Sequence, residues 1–184
     1  MLTDSQKKYL LTLARETIAQ YLKEHKIGAA KSADAALNAP CGVFVTLHEQ
    51  GELRGCIGNM TAAQPLVESV RDMAIASATE DPRFTPLRLA ELARVDIEIS
   101  VLSPLEKVRS ADDIVLGKHG VVVKKGFSSG VFLPQVALET RWSKEEFLSN
   151  LCLHKAGIPA DSWKDPRTEL YVFTAEVFGE KDNA

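Results

Sequence analysis

Gly42-Val43-Phe44-Val45-Thr46-Leu47-His48-Glu49-Gln50-Gly51-Glu52-Leu53-Arg54-Gly55-Cys56-Ile57-Gly58 is the stretch from which the fold is read. Gly42 to His48 is rich in β-branched and aromatic residues, Glu49-Gln50-Gly51 reads as a turn, and Leu53 to Ile57 as the return strand of a hairpin. In a regular strand Arg54 and Cys56 share one face, with Leu53, Gly55 and Ile57 on the other. The apolar residues are then expected to face a core, and Arg54 and Cys56 a cleft or a partner. A thiol between two glycines has two readings: close packing, or close approach of something to backbone and sulfur.

Outward from the hairpin, helices and strands alternate. Thr3 with Gln6 fits a capping box, and Leu10, Leu13, Ala14, Ile18, Tyr21 and Leu22 recur at helical spacing up to an expected stop at Gly28. Residues 29–40 read as a loop. Pro65 stands near the start of a second helix with Leu66, Val70, Met73, Ala74 and Ser77 inward. Glu80-Asp81-Pro82-Arg83-Phe84 breaks it, and Thr85-Pro86 predicts a short helix to Ala93. Val95, Ile97, Ile99 and Val101 alternate with Asp96, Glu98 and Ser100, the pattern of a strand with one wet face.

Gly117-Lys118-His119-Gly120 is a turn before a second hairpin, Val121–Val123 and Val131–Leu133. Pro134 to Glu139 predicts a short helix. Ser143 with Glu146 caps a further one, ending at Gly157, and Leu170 to Phe178 is the last strand. Hairpin, helix and strand thus occur twice, over residues 42–102 and 120–178. The expectation is one α+β domain over residues 1–184 with a duplicated unit, in one body or two lobes, around a mostly antiparallel, curved or barrel-like sheet. In such a repeat the Cys56 stretch has its counterpart near Leu133-Pro134.

The 184 residues are 45% hydrophobic and 26% charged, with net charge -3, which is ordinary globular composition. Apart from Lys124-Lys125 no basic cluster stands out, so nucleic acid is not an expected partner. Cys41, Cys56 and Cys152 form neither a disulfide framework nor a zinc motif and suggest a reducing compartment. No signal-peptide block follows Met1 and no run spans a bilayer, so a cytoplasmic protein without a membrane partner is expected. No Walker loop, dinucleotide fingerprint or helical histidine pair appears, and no cofactor or metal is expected.

Cys56 is the leading candidate for chemistry. Arg54 beside it, and a helix near Pro65 whose positive end points back at it, would favour the thiolate, making a nucleophile or a soft metal ligand. The alternative is a small hydrophobe in a crowded core. Arg54 either binds an anionic group bidentately or makes an internal ion pair. Asp81 and Arg83 either form an Asx turn with a local pair or line the same pocket. His119, in its glycine turn, is the acid–base candidate, and Gly55 and Gly58 complete a candidate ligand-binding set with Arg54, Asp81 and Arg83. His25 suits a helix C-terminus, and His154 and Cys152 border an apolar stripe.

Several segments together resemble one family. Leu53-Arg54-Gly55-Cys56-Ile57-Gly58 resembles the signature of the AMMECR-type domain, whose bacterial and archaeal members are called AmmeMemoRadiSam system protein A. The similarity continues in Asp81-Pro82-Arg83-Phe84, Ile97-Glu98-Ile99-Ser100-Val101-Leu102, Gly117-Lys118-His119-Gly120, Leu133-Pro134-Gln135-Val136-Ala137, and Cys152 with Lys155-Ala156-Gly157. The resemblance implies an α+β fold with a duplicated strand–helix unit. It also implies association with separate Memo-type and radical-SAM proteins. Three functions follow as expectations. The first is a binding or accessory module with a cleft at Leu53–Gly58 for a small anionic ligand or these partners. The second is a cysteine-dependent group-transfer enzyme with Cys56 as nucleophile and His119 as base. The third is a structural protein whose signature secures the fold.

Overall fold

The computed structural model describes residues 1–60 and 63–183. Helix α1 (Asp4–Glu24) begins at the expected cap. The Thr3 hydroxyl accepts the Gln6 N–H at 3.3 Å, and the Gln6 side chain accepts the Thr3 N–H at 2.8 Å. The helix stops before Gly28: His25 takes the left-handed conformation (φ 54°) and donates its N–H to the Tyr21 carbonyl. The stretch read as a loop contains one helical turn, α2 (Ala35–Asn38), capped by Asp34.

β1 (Val43–Glu49) and β2 (Glu52–Asn59) form the first hairpin across Gln50 (φ 56°) and Gly51 (φ 88°). Two positive φ values mark the mirror-image turn whose twist suits antiparallel strands. The register runs Glu49↔Glu52 and His48↔Leu53, then jumps to Leu47↔Gly55 and Thr46↔Cys56. Arg54 is therefore the extra residue of a β-bulge. This corrects the expected faces: Leu53 shares the face of His48 and is 39% exposed, while Leu47 and Gly55 turn to the core.

Helix α3 (Leu66–Thr79), with Pro65 at its cap position, buries Leu66, Val67, Val70, Ala74 and Ala78. The helix expected from Thr85 begins later, as a 3₁₀ helix over Leu89–Arg94. The preceding segment is held by other partners, the Leu87 N–H on the Ala78 carbonyl and the Thr85 carbonyl on Arg54. β3 (Val95–Leu102) then pairs antiparallel with β1.

Beyond it come β4 (Glu106–Lys107), β5 (Gly120–Lys125), β6 (Ser128–Phe132), α4 (Pro134–Thr140) and α5 (Lys144–Asn150). Ser143 and Glu146 close the second predicted capping box, and α5 continues as a π-helix, Leu151–Ala156, ended by Gly157 at φ 65°. The strand predicted over 170–178 is two strands interrupted at Thr174, β7 (Glu169–Phe173) and β8 (Ala175–Gly179).

That break decides the architecture. β7 enters one sheet and β8 another, so the single curved or barrel-like sheet is replaced by two open four-stranded sheets, ordered β2-β1-β3-β8 and β4-β7-β5-β6. Two compact units result: Met1–Leu102 with the chain from Glu176 onward, and Ser103–Ala175. Each has its own core. In the first unit α1 and α3 cover Val43, Val45, Leu47, Ile97 and Ile99. In the second, Val121, Val123, Phe147, Leu148 and Leu151 centre the packing. Among the described residues no helix is long and apolar enough to cross a membrane.

Candidate functional site

β2 is an edge strand of the first sheet, so alternate residues turn their backbone N–H and C=O away from β1. At Cys56 both groups are taken by the loop after α3. The Cys56 N–H donates to Asp81 Oδ2 at 2.8 Å, and Arg83 Nη2 donates to the Cys56 carbonyl at 3.3 Å. Asp81 also accepts from the Arg83 backbone N–H (3.1 Å), Nε (2.9 Å) and Nη2 (2.7 Å). Asp81-Pro82-Arg83 is thus both the expected Asx turn and a one-residue substitute for a neighbouring strand.

The electrostatics follow from this geometry. The Asp81 side chain is 2% exposed, a burial that a carboxylate tolerates only when paired and hydrogen-bonded. The Arg83 side chain, with help from the Cys56 and Arg83 backbone N–H groups, holds the Asp81 carboxyl well below the usual carboxylate range against the opposing effect of burial. The Arg83 side chain remains 55% exposed, and its Nη1 makes no hydrogen bond among the described residues.

The sulfur has a partner that sequence reasoning missed. Thr46 lies directly opposite Cys56 on β1, and its hydroxyl donates to Sγ at 3.2 Å. Residues facing each other in a pair that exchanges no backbone hydrogen bonds have closely spaced side chains, which brings the two within reach. Thr46 also faces Glu98 on β3, so Cys56, Thr46 and Glu98 form a row across three strands.

Arg54 points elsewhere. Its Nη1 donates to the Thr85 carbonyl at 3.0 Å and its Nη2 lies 3.6 Å from Glu91, the internal-pair alternative. The guanidinium that reaches Cys56 is that of Arg83. The expected helix dipole is also reversed. A Cβ on Gly55 would stand 2.2 Å from the Ser77 carbonyl, so the carbonyl end of α3, not its amide end, lies against the motif. Gly58 is needed for a different reason: the Phe44 ring covers it, and a Cβ there would stand 2.3 Å from the ring.

His119 belongs to the second unit, where its Nδ1 accepts the Val115 N–H at 3.1 Å and fixes the glycine turn. Cys152, on the π-helix that continues α5, is buried, and burial pushes its thiol pKa up, as it does that of Cys41. Among the described residues no group of three or more His, Cys, Asp or Glu side chains is placed to hold a metal ion.

Two open antiparallel sheets, with a glycine-flanked cysteine clamped on the edge of one, define an α+β protein with a specialised first hairpin. The chain belongs to the AMMECR1 family, which it matches over residues 11–178. It is 43% identical over 190 residues to Protein MK0488 of Methanopyrus kandleri, covering 98% of this chain and 91% of that protein. It is 44% identical over 185 residues to Protein PH0010 of Pyrococcus horikoshii, covering 95% and 89%. A crystal structure of the uncharacterized protein PH0010 aligns with a TM-score of 0.88 at 42% identity, covering 98% of this chain and 94% of that one.

Proposed function

We propose that this AMMECR1-family chain is a binding or accessory module. It presents the β2 edge at Leu53–Gly58 to a small anionic ligand, in concert with Memo-type and radical-SAM partner proteins. The observation that carries the reading is Arg83. Its guanidinium is fixed by Asp81, stands beside Cys56, is half-exposed, and keeps Nη1 unused. A pre-positioned guanidinium with unused N–H groups suits a carboxylate or phosphate oxygen. The test is a titration of the full chain with inorganic phosphate and with acetate, following the backbone amides of Cys56 and Gly58 by NMR. Saturable shifts that vanish in Arg83→Ala support the module. Shifts that persist unchanged in that variant, or no shifts with either anion, overturn the anion site.

A second reading, a cysteine-dependent group-transfer enzyme, is favoured by the Thr46 hydroxyl aimed at Sγ. A donor on sulfur stabilises the thiolate. Iodoacetamide labelling of the folded chain tests it. Labelling of Cys56 that slows in Thr46→Val supports a reactive thiol. No labelling of Cys56 in the native state counts against it.

A further inference from the structure

The second unit contains a cleft of about 800 Å³ lined by none of the family segments quoted above. One wall runs from Lys107 to Asp112 and the other from Trp163 to Leu170. Its size lies within the range of small-molecule sites, roughly 300–1,000 Å³. Trp163 packs partly against the second core, and its indole N–H donates to Ser149 Oγ at 3.2 Å, so the ring is held in one orientation.

The charges lining the cleft sort by partner. Lys107 is bound to Glu169, and Asp165 is held by Lys125 and Arg167. Lys164 pairs with Glu145 at 2.7 Å with both side chains more than half exposed, while its Nζ lies 4.9 Å from the centre of the Trp163 ring. Exposed pairs of this kind contribute little and exchange readily with a competing anion. Two lining charges remain without an ion pair among the described residues: Arg109, exposed, whose guanidinium makes no hydrogen bond, and Asp112, whose carboxylate accepts only from the Ser110 hydroxyl at 3.3 Å. A fixed indole with the Lys164 ammonium over its ring and an unpaired guanidinium lie along one cleft.

We infer that this cleft binds a small planar organic anion, with an aromatic ring against Trp163 and a carboxylate or phosphate on Arg109. Aromatic surface and guanidinium then act on different parts of one ligand, which neither would hold well alone. The cleft shares no residue with Leu53–Gly58 or Arg83, so Arg83→Ala removes none of its lining and each proposal fails or stands independently.

The test uses the full chain and three probes: adenosine monophosphate, benzoate and inorganic phosphate. The Trp163 indole N–H, assigned by its loss in Trp163→Phe, is followed by NMR. The expected result is a saturable shift with adenosine monophosphate or benzoate, a much smaller one with phosphate alone, and about tenfold weaker binding in Arg109→Ala. The inference is overturned if neither aromatic anion shifts the signal at millimolar concentration. It is equally overturned if phosphate alone binds as well as either, or if Arg109→Ala, checked for native folding by its amide spectrum, binds with unchanged affinity.

Discussion

Replacing Asp81 by alanine removes the acceptor that joins the loop after α3 to the sheet edge. Four hydrogen bonds end on this carboxylate, at 2.7 to 3.1 Å. They do not weigh equally. Arg83 is more than half exposed, so water takes over most of what its side chain loses. The Cys56 N–H is part-buried at the edge of β2 and loses its acceptor, at a cost of about 1–3 kcal/mol. With the released loop included, about 3 kcal/mol is expected for Asp81→Ala, and about half of that for Asp81→Asn, which keeps one acceptor oxygen. At about 2–4 °C per kcal/mol for a chain of this size, alanine lowers the Tm by about 6–12 °C. Urea denaturation gives the stability loss, and native-state hydrogen exchange at Cys56 shows whether the loss is local. The pH dependence supplies a sign. The folded carboxyl titrates below its unfolded value of about 3.9, so its contribution is fully present above that pH. It fades as pH falls toward the folded value, and the stability gap between wild type and Asp81→Asn narrows below about pH 4. An unchanged urea midpoint in Asp81→Ala, with the Cys56 amide still protected, refutes the edge-cap argument.

Three further predictions follow from packing and burial. Gly55→Ala drives a Cβ into the backbone of Ser77, and the overpacking is expected to cost about 3 kcal/mol, measured as a lower urea midpoint. Glu180 chelates Arg15 at 2.5 Å through both carboxylate oxygens and accepts the Ile97 N–H at 2.8 Å, closing the returning chain onto the first unit. With both side chains partly screened, Glu180→Ala is expected to cost about 2 kcal/mol, read by thermal denaturation. Because Cys152 is fully buried and burial raises its thiol pKa, it is expected to resist iodoacetamide in the native state and to react only after urea is added, as peptide mapping would show.

The elements that depend on local pattern were legible in the sequence. Thr3 and Gln6 closed one capping box, Ser143 and Glu146 the other, and Val95 to Val101 alternated as a strand must. What was not legible depended on distant partners. The bulge at Arg54 leaves no mark in local composition, yet it places Cys56 opposite Thr46; an unbroken register from Glu49↔Glu52 would have set Thr46 against Gly55. Thr85-Pro86 carried a plausible helix start, but Arg54 claimed the Thr85 carbonyl. The break at Thr174 is similarly hidden in an apolar run, and it separates two sheets. The guanidinium nearest Cys56 in sequence is Arg54, and the one that reaches it in space is Arg83.

The two sheets share a pairing pattern. Each is built on a hairpin whose first strand also pairs with the strand that follows the helices, β1 with β3 and β5 with β7. Each has its fourth strand beside that one, β8 beside β3 and β4 beside β7. Matching Val43 to Val121 carries Thr46↔Cys56 onto Lys124↔Ser129, so the counterpart of Cys56 is Ser129 rather than a residue near Leu133-Pro134. Both return strands place a glycine beneath the end of a helix, Gly55 under Ser77 and Gly130 under Lys155 and Ala156, where any Cβ would collide with backbone. The glycines therefore answer to packing in both halves. Among the described residues the thiol, its hydroxyl partner and the clamped edge occur in the first hairpin and not in the second. Within the motif, Gly55 serves the helix–sheet contact, and Cys56 with Thr46 and Arg83 is where the first hairpin differs from the second.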